Sequence, residues 1–289
     1  MPADRSALGA FLRSRRDRLT PPQAGITAFP GARRVPGLRR EELAVLAGLS
    51  PDYYSRVEQG RQPNVSAEVL DALARALRLD DTERAHLHTL AAPQRRRASR
   101  PTTTHQQADP GLLRLMTTLD HVPALVLGRS GTILATNHLL RCVLGRRFEP
   151  GSSLMRYLFL DPDARQRIVN WPSFAQASVG ALRRELGLHP DDVQLQRLVA
   201  ELRGADPDVA RWWDDHGVRD YASVPKQIDH PVAGPLSFDI ELVTMANLPD
   251  QHLIVYTVQP DSPTARALPL VASWEADVQS RAAAPTMES

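Results

Sequence analysis

The sequence predicts two folded units of different class: an all-α unit of five helices, then an α+β unit built on one five-stranded antiparallel sheet. Three observations carry this prediction. At 289 residues the chain is about twice the usual domain length and can bury two separate cores. Its apolar pattern is helical as far as residue 91 and admits strands only later. Charge divides at the same place, with 18 basic against 11 acidic residues in 1–100 and 17 against 22 in the remainder. The stretch APQRRRASRPTTTHQQADP, residues 92–110, has three prolines and almost no large apolar side chain, which is the composition of a linker. The expected organisation is a domain at 1–92, a linker at 93–110, a domain at 111–276 and a disordered tail at 277–289.

Each element has its own signal. Leu8, Phe11, Leu12 and Leu19 recur at near-helical spacing beside Arg13, Arg15, Arg16 and Arg18, predicting an amphipathic helix over 7–19. Thr20 to Gly37 holds four prolines and three glycines and reads as a loop. Helices are expected at 40–47, 51–59, 67–77 and 82–91, the last two capped by Ser66 and Asp81. After the linker come a short helix from Leu112 and a hairpin. Its strands are Ala124 to Leu127 and Thr132 to Thr136, turning at Gly128-Arg129-Ser130-Gly131. Helical patterns follow at 137–145, 153–159, 162–186, 190–203 and 207–215, with strands at 218–229, 235–247 and 251–259. Two strands, a run of helices and three strands make an α+β domain with one sheet.

Composition excludes several classes. Cys142, the only cysteine, rules out an internal disulfide and a CxxC metal knuckle, and its apolar helical setting marks it as core. No apolar run approaches the roughly 18 residues that span a bilayer, and the first twenty residues lack a signal-peptide core, so a cytoplasmic chain without a membrane partner is expected. There is no GxSxG, P-loop, GxGxxG or HExxH, and the nine histidines are scattered, so no enzyme, metal or cofactor is expected.

The strongest pattern is REELAVLAGLSPDYYSRVEQ, Arg40 to Gln59, which meets the requirements of a helix-turn-helix. Ala44 leaves room for a second helix, and Gly48 can take the positive φ of the tight turn. Leu43, Ala47, Leu49, Tyr54 and Val57 fall on inward positions. Ser50 caps the next helix, Pro51 occupies its first position and Asp52 complements its dipole. In a basic domain this predicts double-stranded DNA as the partner, with the helix from Pro51 in the major groove. Asp52, Tyr53 and Arg56 are then the base-reading candidates, Asp52 serving equally as a cap. Arg40, Arg61, Gln62 and Asn64, with the capping Ser50, are placed to meet phosphates. Arg33 and Arg34 read either as a backbone or minor-groove grip or as a solvated charge pair.

The segment VPGLRREELAVLAGLSPDYYSRVEQGR resembles the xenobiotic-response-element family of helix-turn-helix regulators, in particular the MmyB-like transcription regulators. LATNHLLRCVLG, LMRYLFLDPDAR, IVNW, VGALRRELGLHPDD, DHPVAGPLSFDIELVTM and LIVYTVQPDSP extend the resemblance through the second domain. It implies a five-helix DNA-binding domain followed by a PAS-like ligand-binding domain that holds a fatty acid or similar lipophilic molecule. Arg40 departs from the Gln common in the wider family and exchanges a base reader for a phosphate contact.

Apolar material for such a pocket is present in Leu115, Met116, Leu119, Val126, Met155, Leu158, Phe159, Trp171, Phe174, Trp212 and Trp213. Leu115, Met116, Leu119, Val126, Met155, Phe159, Trp171 and Trp213 are the candidate walls, although such a set also makes an ordinary core. Asn137, Arg156 and His230 are the candidate polar groups, each with a plainer role as helix cap, surface charge or turn residue. Because one short recognition helix reads too few base pairs to select a genomic site, a homodimer is expected. A second domain that only dimerises or binds a protein partner is the alternative to ligand sensing.

Overall fold

A computed structural model describes residues 5–29, 37–92, 106–218, 224–245 and 248–283. Mutual contact groups them into two units. The first takes the described residues of 1–100 together with 179–196 and 208–220, and the second takes those of 101–178, 197–207 and 221–289.

The five expected helices of the first unit are α1 (Arg5–Arg18), α3 (Arg40–Leu46), α4 (Pro51–Glu58), α5 (Ala67–Ala76) and α6 (Asp81–Ala91). A one-turn helix, α2 (Pro21–Ala24), interrupts what the sequence presents as loop. The Thr20 amide donates to the Gln23 side chain at 3.0 Å and Pro21 sits at the first helical position. The cap of α6 is Asp80 rather than Asp81. Only Asp80 stands three residues before Glu83, so each side chain can accept from the other's amide, at 2.8 and 3.3 Å. Leu8, Phe11, Leu12, Leu38, Leu43, Tyr54, Leu73 and Leu87 form the buried core, and Val218 joins it from far along the chain. Nearby, the Arg15 guanidinium donates to the His216 carbonyl at 2.9 Å, and the Arg183 guanidinium lies 4.4 Å from the centre of the Trp213 ring.

The second unit opens with α7 (Pro110–Thr118), followed by a hairpin of β1 (Ala124–Leu127) and β2 (Ile133–Thr136). Next come α8 (His138–Leu144), α9 (Leu154–Leu160) and α10 (Pro162–Arg167). Then follow α11 (Trp171–Leu188), α12 (Val193–Ala205) and α13 (Pro207–Asp214), whose residues are divided between the two units. The strands β3 (Lys226–His230), β4 (Gly234–Met245) and β5 (Leu248–Thr257) complete an antiparallel sheet of order β2-β1-β5-β4-β3. The single helix expected over 162–186 breaks between α10 and α11. There Ile168 bridges to Ile228, the Val169 amide donates to Gln227 at 2.9 Å, and Asn170 bonds both Pro225 and Gln227. Backbone pairing with β3 outweighs one more helical turn, and Pro172 suits only the first turn of a new helix.

Two further readings change. The strand expected from 218 begins at Lys226, since Val218 belongs to the first core; residues 219–223 lie outside the described ones. The chain closes with α14 (Pro263–Ala283), so 277–283 are helical where a disordered tail was expected, and 284–289 lie outside the described residues. Leu268 and Val271 bury into the second unit, and the Thr264 hydroxyl accepts from the Ser237 amide of β4 at 2.9 Å, fixing the start of α14.

The sheet sorts its side chains by strand parity. Ala124 and Val126 of β1, with Leu253 and Val255 of β5, face α7 and pack on Leu112 and Met116. Leu127, Ile254 and Tyr256, with Ile240 of β4, turn the other way, toward α9 and α11. Among the described residues no helix is long and apolar enough to cross a membrane.

Candidate functional site

Local sequence builds the α3–α4 corner. Gly48 adopts φ +67°, the Leu49 amide donates to the Ala44 carbonyl at 2.8 Å, and the Ser50 hydroxyl accepts from the Tyr53 amide at 3.1 Å. Tyr54 and Val57 bury, which turns Asp52 and Arg56 outward. These two form an i,i+4 ion pair at 3.1 Å, and the Arg56 guanidinium lies 5.9 Å from the centre of the half-buried Tyr53 ring. The three residues expected to read bases thus hold one another in one surface patch.

Beneath that patch lies Glu58, which the sequence reading passed over. Fully buried, it accepts from Arg16 at 3.0 and 3.3 Å and from Arg40 at 2.9 Å, with Arg13 at 3.5 Å. Burial opposes its charge, but the hydrogen bonds from Arg16 prevail and hold the carboxyl below its ordinary pKa. One carboxylate therefore fixes α1, α3 and α4 together and aims Arg40, whose side chain stays 43% exposed and open to a phosphate. Its signal in the sequence was an acid in the middle of an arginine-rich unit. Arg61 and Asn64 are exposed after α4, and Gln62 is half-buried and donates to the Asn64 carbonyl at 3.2 Å. Arg33 and Arg34 lie outside the described residues.

In the second unit an apolar cavity lies between the sheet and its helices. It is lined by Leu127, Leu154, Tyr157, Leu158, Phe174, Lys226, Ile240, Ile254 and Tyr256, with about 420 Å³ of empty space, part of it open to solvent. Of the apolar residues named from the sequence, Leu158 and Phe174 line it, while none of the candidate walls or polar groups does. Val126 is excluded by parity: its neighbour Leu127 faces the cavity, while Val126 meets Met116 and the half-buried Leu119 on the opposite face. Leu115 is 39% exposed on α7, and Met155 is buried beside Gly131 of the hairpin turn. Phe159 meets Trp171 edge to face at 6.2 Å, and Trp171 donates to the Leu158 carbonyl at 3.0 Å, so this pair supports a wall from behind. Trp213 belongs to the first unit.

The polar candidates take the plainer roles. Asn137 caps α8, accepting from Leu140 at 2.9 Å and from Ala124 at 3.0 Å while donating to Val122 at 2.7 Å. Arg156 pairs with Glu201 at 2.7 Å on the surface. His230 is buried in the β3–β4 turn: its Nδ1 accepts from the Val232 and Ala233 amides at 3.2 and 3.1 Å, which leaves Nε2 to donate to the Cys142 carbonyl at 3.2 Å.

The charged group that does reach the cavity is Lys226, the only lysine of the chain. It starts β3, whose alternation buries Lys226, Ile228 and His230 together. Its Nζ lies 3.1 Å from the Tyr256 hydroxyl, and burial lowers its pKa to about 7. The alternation in Lys-Gln-Ile-Asp-His was the signal available, obscured by the strand having been drawn too long.

Two family models match the chain. The MmyB-like transcription regulator ligand binding domain matches residues 108–271, more than half of the sequence, and a helix-turn-helix domain matches residues 7–87. No curated protein matches it. With an exposed recognition helix in one unit and a family-defined ligand-binding domain in the other, the chain belongs to the MmyB-like transcription regulators, which join DNA binding to a ligand-binding domain.

Proposed function

We propose that this regulator senses a lipophilic small molecule of the fatty-acid type in the second unit, and that it binds paired DNA half-sites as a homodimer. The observation that carries the reading is the apolar cavity between the sheet and its helices, walled by aliphatic and aromatic side chains. A dimer supplies the second recognition helix that site selection in a genome requires. To alter DNA affinity fivefold, the bound molecule must favour one dimer arrangement by about 1 kcal/mol, and DNA must change its affinity by the same factor.

The test uses delipidated full-length protein and an operator selected from random duplexes. Decanoate and longer fatty acids are titrated in, with binding and operator affinity measured at each point and mass taken by sedimentation. Saturable binding with a reciprocal change in operator affinity supports the reading. Binding without that change removes the switch. A dimer that binds DNA and none of these molecules returns the second unit to dimerisation alone.

A further inference from the structure

The first unit is completed by residues from far along the chain. Segments 179–196 and 208–218 belong to it, although both fall within the ligand-binding domain by sequence. The end of α11 comes so near α6 that a Cβ on Gly187 would stand 3.0 Å from Cε1 of His86, whose ring meets Phe11 of α1 edge to face at 5.2 Å. Val218 lies in the core with Phe11 and Leu12. Between these two points the chain is tied by polar contacts. The Arg15 guanidinium, 6% exposed, pairs with Glu83 of α6 at 3.0 Å and donates to the His216 carbonyl at 2.9 Å, and Arg18 pairs with Asp215 at 3.1 Å. Arg183 of α11 donates to the Trp213 carbonyl and to His216 Nδ1, the latter at 3.1 Å. Burial, then Arg183, lowers the His216 pKa to about 4, so its ring is neutral and Nδ1 accepts. His216 is held at φ +52°, uncommon outside glycine, which fixes the direction of the carbonyl that meets Arg15.

The consequence lies in α1. Consecutive helical residues point about 100° apart, and Arg15 and Arg16 divide accordingly. Arg15 meets His216, while Arg16 meets Glu58, the carboxylate beneath the recognition helix. Helix α1 is therefore gripped on two sides, by 213–218 and by α4. Leucines in place of Arg15 and Arg183 would bury comparable surface at a lower desolvation cost. What the buried guanidiniums add is direction, because a hydrogen bond weakens steeply as its angle closes and so resists rotation or slip of α1.

We propose that residues 213–218 form a brace that positions α1 and, through the Arg16–Glu58 pair, the recognition helix, with Arg15, Arg183 and Val218 as positioning residues for DNA reading. Sequence-specific affinity then depends on residues outside the helix-turn-helix match, which ends at residue 87. Hydrogen bonds to base edges demand close placement of α4, whereas long flexible arginines can follow a displaced phosphate. Loss of the brace should therefore cut specific binding and spare non-specific binding. The inference rests on DNA binding alone and holds whatever occupies the cavity.

The experiment uses full-length Arg15→Met, Arg183→Met and Val218→Ala proteins, with Ala74→Gly, which loosens the same core from α5, as the control. Circular dichroism sets an assay temperature at which the variants are folded. Affinity is then measured for an operator selected from random duplexes and for a random duplex of equal length. The arginine variants should lower the ratio of specific to random affinity at least fivefold, on the order of the 1 kcal/mol per lost base contact or more, and Val218→Ala at least twofold. Random-duplex affinity should stay within about twofold of wild type, and amide hydrogen exchange should quicken in α4 as well as α1. The control should keep the wild-type ratio. An unchanged ratio in folded Arg183→Met overturns the brace, as does a loss shared equally by both duplexes or a control that loses as much as the arginine variants. Where an arginine variant does not fold, Val218→Ala decides by the same criteria.

Discussion

Substituting Gly9 by alanine sets helix propensity against packing, and the structure says which wins. Gly9 is buried in α1 where that helix meets the end of α4. A Cβ there would overlap the Glu58 carbonyl oxygen, from which a carbon sits comfortably no closer than about 3.3–3.6 Å, and would lie 2.9 Å from the carbonyl carbon. The obstructing atoms are backbone, so α1 must move away from α4 by about 1 Å. Overpacking of this kind costs about 1–3 kcal/mol, and a rigid obstacle places the cost near the top of that range. Alanine's better helix propensity returns about 1 kcal/mol, leaving a loss of about 2 kcal/mol, or roughly 8–16 °C in Tm for a unit of this size. Because the shift displaces the recognition helix and the Glu58 that anchors it, DNA affinity should fall as well. The control is Gly204→Ala in α12, where nothing lies within 4 Å of the added carbon and propensity acts alone, so that stability should rise by up to about 1 kcal/mol. Calorimetry of both variants decides the matter, and a Gly9→Ala protein as stable as wild type, or more so, refutes the close-approach argument.

Glu58→Gln removes the charge that pairs with buried Arg16 and with Arg40, leaving Arg16 only Asp17 at 2.9 Å, and should cost about 2 kcal/mol in denaturant titration, with reduced DNA affinity because Arg40 loses its anchor. His86 has its pKa lowered to about 4, by burial first and then by Arg183, Arg15, Arg184 and His216. The folded state therefore binds fewer protons than the unfolded one, and stability present above about pH 6.5 is lost as pH falls toward 4, by at most about 3 kcal/mol. His86→Phe should flatten part of that loss in urea melts at pH 7 and 4.5, with His216, lowered to the same value, and the lowered carboxyl of Glu58 contributing to what remains. Asn137→Ala removes a helix cap and two further hydrogen bonds and should cost about 2 kcal/mol by the same assay. Arg56→Ala should relax preference at one base pair by roughly 1–3 kcal/mol, whereas Arg61→Ala should weaken all sequences alike; equal losses on every operator variant for Arg56→Ala would remove it from the base-reading set.

What could be read from the residues alone was whatever depends on near neighbours in the chain. The α3–α4 corner is specified by Gly48, Ser50 and Pro51 through a positive φ, a cap and a missing amide, each acting within four residues. The strand patterns after the linker are local in the same way, whereas their pairing, Ala124 with Val255 for one, is not. Tertiary structure decided which face each strand shows. A shift of one residue exchanges Val126 for Leu127, so Val126, with Met116 and Leu119, lies across the sheet from the cavity that Leu158 and Phe174 line. It also decided that Val218 enters the first core, that one long helix gives way to pairing at Ile168 and Val169, and that a tail becomes α14, since each depends on partners far away in sequence. Glu58 and Lys226 show the limit most plainly. Both are single charged residues in the sequence, and only tertiary structure separates them: three arginines surround the carboxylate, while the amine lies in an apolar wall beside the Tyr256 hydroxyl.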